Sequence, residues 1–152
     1  MYPRPAYSIP THRPDRAGQW TRLAYWCCLL LLCSAYLQGG LEKAFDFPAA
    51  VAEMRHFGVT PAAPFALLTV VGELGASLLV LGGVQRWAGA LYLALFTLAA
   101  NLVANRFWEL AGAARAMAEN GFFEHLGLAG AFLMVACADL RRRRSAAASR
   151  DR

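Results

Sequence analysis

Charged residues are scarce in this chain of 152 residues: they make up 16% of it, whereas 58% of the residues are apolar. A soluble domain averages about 25% charged residues, so the composition argues against an ordinary soluble globule. The apolar content also excludes an intrinsically disordered chain, and the length fits a single domain. What remains is a small integral membrane protein or a soluble protein with an unusually large core.

Common signatures of catalysis and nucleotide binding are missing from the sequence. It has no phosphate-binding glycine loop, no zinc-protease helix and no nucleophile elbow. Its four cysteines, Cys27, Cys28, Cys33 and Cys137, form no Cys-x-x-Cys pair and lie within apolar segments. A disulfide-generating membrane enzyme needs an exposed exchangeable pair, so that class is disfavoured. The sequence therefore leaves open whether the protein has an enzymatic activity outside these classes.

Four long apolar segments dominate what is present: Leu23–Leu41, Ala62–Gln85, Trp87–Ala104 and Gly121–Ala138. Eighteen residues of α-helix rise about 27 Å, close to the roughly 30 Å hydrocarbon core of a bilayer. The segments are apolar all round rather than striped, and no stretch alternates as a barrel strand does. The sequence therefore predicts an all-α fold, an integral membrane four-helix bundle.

The positions of the basic residues predict the orientation of the bundle. Residues 1–22 carry four arginines, the turn at Arg86 carries one, and six more follow residue 140. The two long connections, residues 42–61 and 105–120, together carry only four basic residues. Since cytoplasmic loops are enriched in arginine and lysine, both termini are predicted to be cytoplasmic. The net charge of +5 thus indicates topology, and nucleic acid is not expected as a partner.

This topology divides the chain into three parts. Residues 1–21 are predicted to be a disordered cytoplasmic tail, residues 22–140 the four-helix membrane domain, and residues 141–152 a basic cytoplasmic tail. The run Arg141–Arg144 fits a stop-transfer anchor beside anionic headgroups. Within the first long connection, Ala49–Phe57 is typical of a short interfacial helix. The second, residues 105–120, contains an alanine-rich stretch that is expected to lie on the membrane surface.

Glu73 is the main candidate for chemistry, because it lies in the middle of the second apolar segment. An acidic residue there costs about 2.5–3.5 kcal/mol on insertion, so it must face the bundle interior. Thr69 and Ser77, four residues to either side, share its helix face. Two interpretations stay open: a carboxyl that handles protons or contacts a ligand, and a protonated or hydrogen-bonded carboxyl that fixes helix packing.

Other polar residues are expected to converge near the outer ends of the helices. These candidates for ligand or proton handling are Lys43, Asp46, Asn101, Asn105, Glu124 and His125. Lys43 is the only lysine of the chain, and a pair with Asp46 or Glu42 across one helical turn would be its structural explanation. Neither a haem between two histidines nor a metal site is predicted, because the spacing of these residues is not specific to either.

Several short motifs, in their order along the chain, resemble the DoxX family. They run from Gly40 to Pro48, from Met54 to Val59, from Glu73 to Gly75, from Leu81 to Gly83, from Arg86 to Ala88, over Phe107–Trp108 and from Phe122 to Leu126, with Pro61 and Pro64 between. The resemblance covers roughly residues 20–140. It implies a bacterial inner-membrane protein of four helices, and it favours Lys43, Asp46, Glu73 and the Glu124–His125 pair as functional positions.

The resemblance also implies functions, since members of this family have been linked to quinol oxidase or thiosulfate:quinone oxidoreductase complexes and to assemblies handling oxidative stress. The first hypothesis is an accessory subunit of such a redox complex, with another membrane protein as partner and oligomerisation left open. The second is a quinone-site subunit, in which Glu73 or His125 hydrogen-bonds a quinone, the one cofactor suggested. The third is a small-solute or proton-coupled carrier.

Overall fold

A computed structural model describes residues 16–150 of the chain. In this part the chain is helical throughout, apart from short connections, and has no β-strand. Its α-helices are α1 (Arg16–Phe45), α2 (Phe47–His56), α3 (Ala62–Gly82), α4 (Arg86–Ala104) and α5 (Gly112–Arg150), with a 3-10 turn at Phe107–Glu109. Of the described helices, α1, α3, α4 and α5 are long and apolar enough to cross a membrane. The predicted fold class and the four spans are thereby confirmed.

Two of the spanning helices, α1 and α5, extend well beyond the apolar segments that predicted them, whereas α3 ends at Gly82, three residues before the end of its predicted segment. α1 begins at Arg16 and α5 continues to Arg150, so residues 16–21 are helical rather than disordered, and residues 141–150 continue the last helix. No proline follows Pro14 before α1, and residues 141–150 are mostly arginine and alanine, which favour helix. The rest of the predicted tails, residues 1–15 and 151–152, lies outside the described residues.

The two long connections differ from each other. The first contains the predicted interfacial helix as α2, which begins two residues early because Asp46 caps it and accepts a hydrogen bond from the Ala49 amide at 3.1 Å. In the second, the expected surface helix is instead the start of α5. That helix begins at Gly112, whose φ of +58° favours glycine, and it runs through Gly121 without a break.

The bundle is built mainly from neighbours in sequence: α1 packs on α3, α3 on α4, and α4 on α5, while α1 meets α5 at few positions. Glycines permit the closest approaches. A Cβ on Gly89 of α4 would lie 2.6 Å from the Ala76 carbonyl oxygen of α3, and one on Gly40 of α1 would lie 2.8 Å from Leu74 of α3. We refer to the end that carries α2 and the 3-10 turn as the long-loop end, and to the end at residues 83–85 as the short-turn end.

The core lies between the four long helices and is closed at the short-turn end. Leu29, Val80, Leu93 and Phe132 are fully buried there. At the short-turn end, the Tyr25 ring of α1 lies under two guanidinium groups, those of Arg86 at 5.6 Å and Arg142 at 5.4 Å. These contacts connect α1 to the first residue of α4 and to α5.

Candidate functional site

A cavity of about 470 Å³ opens inside the bundle on the long-loop side of the core. Residues from all five helices line it, and most of them are aliphatic or aromatic. A small set of polar side chains faces this apolar space, namely Tyr36, Lys43, Glu53, Thr69, Glu73, Tyr92, Thr97 and His125. An apolar cavity with a few convergent polar groups is the usual form of a small-molecule site.

Glu73 is the most deeply buried charged residue of this cavity. Its side chain is 9% exposed, and its Oε2 lies 3.7 Å from the Lys43 Nζ. Within the described chain, this oxygen has no hydrogen-bond partner. Gly39 lies beside the pair, since a Cβ at that position would lie 3.4 Å from the Lys43 Nζ. The carboxylate therefore has a free hydrogen-bonding site in an apolar cavity.

Lys43 lies between two carboxylates rather than beside one. Its Nζ is 3.9 Å from the Glu53 Oε2 of α2, in addition to its contact with Glu73. Side-chain exposure rises along the series, from 9% at Glu73 to 19% at Lys43 and 43% at Glu53. The three charged side chains thus lie in a row from the interior of the cavity to its mouth. The Lys43 ammonium has three N–H donors and therefore keeps donors available for a ligand.

Of the two interpretations of Lys43, the structural one, a pair with Asp46 or Glu42, differs from what the structure shows. The Asp46 carboxylate is engaged as the cap of α2, and the Lys43 ammonium lies beside Glu53 and Glu73, in the lining of the cavity. The lysine therefore belongs to the cavity and not to the surface of the loop.

Tyr36 and Thr97 connect α1 to α4 across the floor of the cavity. The Tyr36 hydroxyl is hydrogen-bonded to the Thr97 hydroxyl, which also donates to the Leu93 carbonyl oxygen. Both side chains are buried. Of the predicted polar stripe on α3, Thr69 lines the cavity, while Ser77 lies below it with no hydrogen-bond partner for its hydroxyl among the described residues.

His125 and Glu124 are neighbours in sequence, yet the structure separates them. The His125 ring lines the cavity, and its Nδ1 lies 2.6 Å from the Gly121 carbonyl oxygen. Because a carbonyl can only accept, Nδ1 carries the proton and Nε2 can accept one from a ligand. Glu124 is exposed and does not line the cavity, since successive residues of a helix point about 100° apart.

Asn101 joins α4 to α5, and Asn105 is hydrogen-bonded to Asn101. The Asn101 amide donates to the Phe122 carbonyl oxygen at 2.9 Å, and the Asn105 amide donates to Asn101 Oδ1 at 2.8 Å. Neither lines the cavity. Of the predicted cluster, the structure therefore brings together Lys43, Glu73 and His125, while the other members cap or connect helices or face outward.

Sequence reasoning missed Glu53, Tyr36 and Thr97. A signal existed for Glu53, because it lies on the same face of α2 as Ala50, which is buried, and Phe57, which lines the cavity. Tyr36 and Thr97 carried no comparable signal, since single hydroxyl groups are common in apolar spans. Across residues 16–150, no three His, Cys, Asp or Glu side chains cluster closely enough to hold a metal ion, and His56 does not line the cavity.

Comparisons with known proteins agree with the prediction that the apolar helices span a membrane. A family model described as DoxX matches residues 29–106, about half of the chain. The inner membrane protein YphA of Escherichia coli (strain K12) is 27% identical over 97 residues, which cover 64% of this chain and 69% of that protein. No solved structure matches the chain significantly. The matched family segment contains Lys43, Glu53 and Glu73, and it ends before His125.

Proposed function

The chain belongs to the DoxX family and is a multi-pass inner-membrane protein, and on that premise we propose that its cavity binds a quinone-class molecule within a membrane redox complex. The observation that carries the proposal is the Glu73 carboxylate, which has an oxygen without a hydrogen bond beside the Lys43 ammonium in an apolar cavity. Buried polar atoms of this kind are normally satisfied, so a ligand group is the natural partner.

The chemistry of a quinone matches the lining of the cavity. Its ring is planar and apolar, and its two carbonyl oxygens accept hydrogen bonds at opposite edges. The Lys43 ammonium can donate to one carbonyl, and the Glu73 carboxylate can accept from a hydroxyl of the reduced form. Phe65 and Leu68 of α3 line the cavity and are exposed. In this proposal the isoprenoid tail leaves the cavity past these two side chains and reaches the lipid.

In this proposal the chain handles protons and a partner protein handles electrons. Oxidation of a quinol releases two protons and two electrons. The protons pass to basic groups of the cavity, with Glu73 and the His125 Nε2 as acceptors, and the electrons pass to a redox centre of the partner. The contribution of this chain is to orient the ring and to accept the protons in a water-poor space.

Photoaffinity labelling with an azido-quinone that is kept in its reduced quinol form tests the binding site directly. The purified protein in lipid nanodiscs should be labelled on cavity residues, as mapped by mass spectrometry. Glu73→Gln should weaken labelling roughly ten- to hundredfold, because a hydrogen bond to a charged group contributes about 1.5–3 kcal/mol. The matched control is Glu124→Gln, which changes an exposed carboxylate outside the cavity and should leave labelling intact. Equal labelling of both variants, or labels on lipid-facing residues alone, would refute the proposal.

A pull-down tests the redox partner. The tagged chain, extracted from native membranes in mild detergent, should bring with it a defined protein that carries a redox centre. Recovery of the chain without such a protein contradicts this part of the proposal, and leaves the ligand site to be judged by the labelling result.

The orientation is also part of the proposal, and the distribution of arginine supports it. Arg86 and Arg142 meet on Tyr25 at the short-turn end, and cytoplasmic ends of membrane proteins are rich in such residues. Both termini would then be cytoplasmic, and the cavity would open toward the outer side of the membrane. A green fluorescent protein fused to the C-terminus should fluoresce, whereas alkaline phosphatase inserted after Thr60 should be active. The reverse pair of results would contradict this orientation.

A further inference from the structure

The short-turn end of the bundle gathers positive charge that the chain itself does not neutralise. Within residues 16–150, Asp139 is the only acidic residue at this end. Its carboxylate already accepts hydrogen bonds from the Arg143 Nε at 2.8 Å and from the Trp87 amide at 3.3 Å. The other arginines at this end include Arg22, Arg86, Arg141, Arg142 and Arg144. This end of the protein therefore has an excess of cations over anions.

Two of these guanidinium groups meet on the Tyr25 ring, and they differ in what else they contact. The Arg86 guanidinium lies 5.6 Å from the ring centroid and the Arg142 guanidinium 5.4 Å. The Arg86 Nε also donates to the Val80 carbonyl oxygen at 2.8 Å, which holds that side chain at the end of α3. Arg142 is exposed, and in the described part of the chain its N–H groups have no hydrogen-bond or ion-pair partner. The ring thus holds a guanidinium whose five donors are all available.

The position of the Tyr25 ring along the helices places this guanidinium at the depth of the lipid headgroups. Tyr25 is two residues past Leu23, where the first apolar segment begins, and Arg142 is four residues past Ala138, where the last one ends. Trp26, beside Tyr25, is exposed, and tryptophan and tyrosine are typical of the boundary between hydrocarbon and water. The free donors of Arg142 are therefore at the level where a bilayer presents its phosphates.

We propose that Arg142, stacked on Tyr25 beside Arg86, binds the phosphate of an anionic phospholipid. Stacking engages the face of a guanidinium and leaves its N–H edge free, and that edge matches two phosphate oxygens. A zwitterionic lipid offers the same phosphate together with an ammonium group, which the surplus of arginines repels. A run of arginines attracts anionic lipids in a diffuse way wherever the side chains point. The contact on Tyr25 assigns a direct bond to one of them.

The tryptophans of the chain provide a reporter for this site. Trp20, Trp26 and Trp87 lie at the short-turn end, and Trp108 lies in the 3-10 turn at the other end. In a Trp108→Phe background, quenching by small fractions of brominated phosphatidylglycerol in phosphatidylcholine nanodiscs measures the relative affinity of this end for the anionic lipid. Arg142→Gln should lower that affinity roughly ten- to hundredfold, as expected for the loss of a hydrogen bond to a charged group.

Two matched variants separate a direct contact from diffuse attraction. Arg141→Gln removes the same charge from a side chain that points about 100° away around the helix, and it should cost about fivefold or less. Arg142→Lys keeps the charge but loses the planar fork, and it should still weaken binding roughly threefold.

The outcomes are decisive in both directions. Equal losses in Arg141→Gln and Arg142→Gln, or wild-type affinity in Arg142→Lys, would overturn the assigned contact, because diffuse attraction depends on charge alone. An excess of inorganic phosphate should leave the quenching unchanged, and its loss would show that the site takes a soluble anion instead of a lipid. None of these results depends on whether the cavity binds a quinone.

Discussion

Replacing Lys43 with methionine should destabilise the bundle by about 3 kcal/mol, because it leaves the Glu73 carboxylate buried without its cation. Methionine keeps most of the length of the lysine side chain and removes the charge. The Nζ–Oε2 distance is 3.7 Å, which corresponds to an attraction of about 4 kcal/mol at an effective dielectric constant of 20. Part of this is offset, since the lysine no longer loses hydration on folding.

The control is an ion pair of similar length on the surface. Arg106 lies 3.6 Å from Glu109, with side chains that are 46% and 56% exposed. In an environment close to water the attraction is about 1 kcal/mol, and exposed pairs contribute little net stability. Arg106→Met should therefore cost less than about 1 kcal/mol. Burial, and not distance, accounts for the expected difference between the two variants.

Unfolding in mixed micelles with increasing dodecyl sulfate, followed by far-ultraviolet circular dichroism, measures both losses. The double variant Lys43→Met with Glu73→Gln should recover most of the stability lost by Lys43→Met alone, because a neutral amide needs no cation. If Lys43→Met and Arg106→Met lose the same stability, or if the double variant is no more stable than Lys43→Met, the electrostatic account of the pair is incorrect.

Two further predictions concern packing and capping. Gly89→Ala should cost about 1–3 kcal/mol in the same unfolding assay, because its Cβ would meet the Ala76 carbonyl oxygen at 2.6 Å, and this backbone atom cannot move aside easily. Gly75→Ala should be neutral or should stabilise by up to about 1 kcal/mol, since its Cβ would meet nothing within 4 Å; a loss equal to that of Gly89→Ala would contradict the packing argument. Asp46→Ala removes the cap that accepts from the Ala49 amide and should speed hydrogen exchange in α2 about fivefold, for a loss of about 1 kcal/mol. Unchanged exchange there would show that the cap is not needed.

The four spans and α2 could be predicted because each depends on a local property. The length of an apolar segment determines whether it can cross a bilayer. Asp46 followed by Pro48 is a local signal for the start of a short helix, although the predicted helix began only at Ala49. The ends of α1 and α5 could not be predicted in this way. The apolar pattern ends at the first charged residues, whereas the helix continues through Arg141–Arg144, because arginine favours the helical conformation.

The candidate site could be predicted only in part, for a geometric reason. Burial of a charge identifies Glu73, but the sequence offered Asp46 or Glu42 as partners of Lys43 and not Glu73, which the structure places beside it. The rotation of each helix about its axis cannot be predicted when the helix is apolar on all sides. That rotation turns His125 into the cavity and Glu124 away from it. Glu53 was missed because its contact with Lys43 depends on how α2 folds back over the bundle.

The order of residues in the buried charge cluster bears on how the protein is made. Lys43 and Glu53 both precede Glu73 in the chain, so a growing polypeptide already contains the cation when the acidic helix leaves the ribosome. The pair can therefore form within the first helical hairpin, before α4 and α5 exist. The hydrogen bond from Asn101 to the Phe122 carbonyl has to wait for the last helix. The residue that is most costly to insert thus has its partner from the outset of membrane insertion.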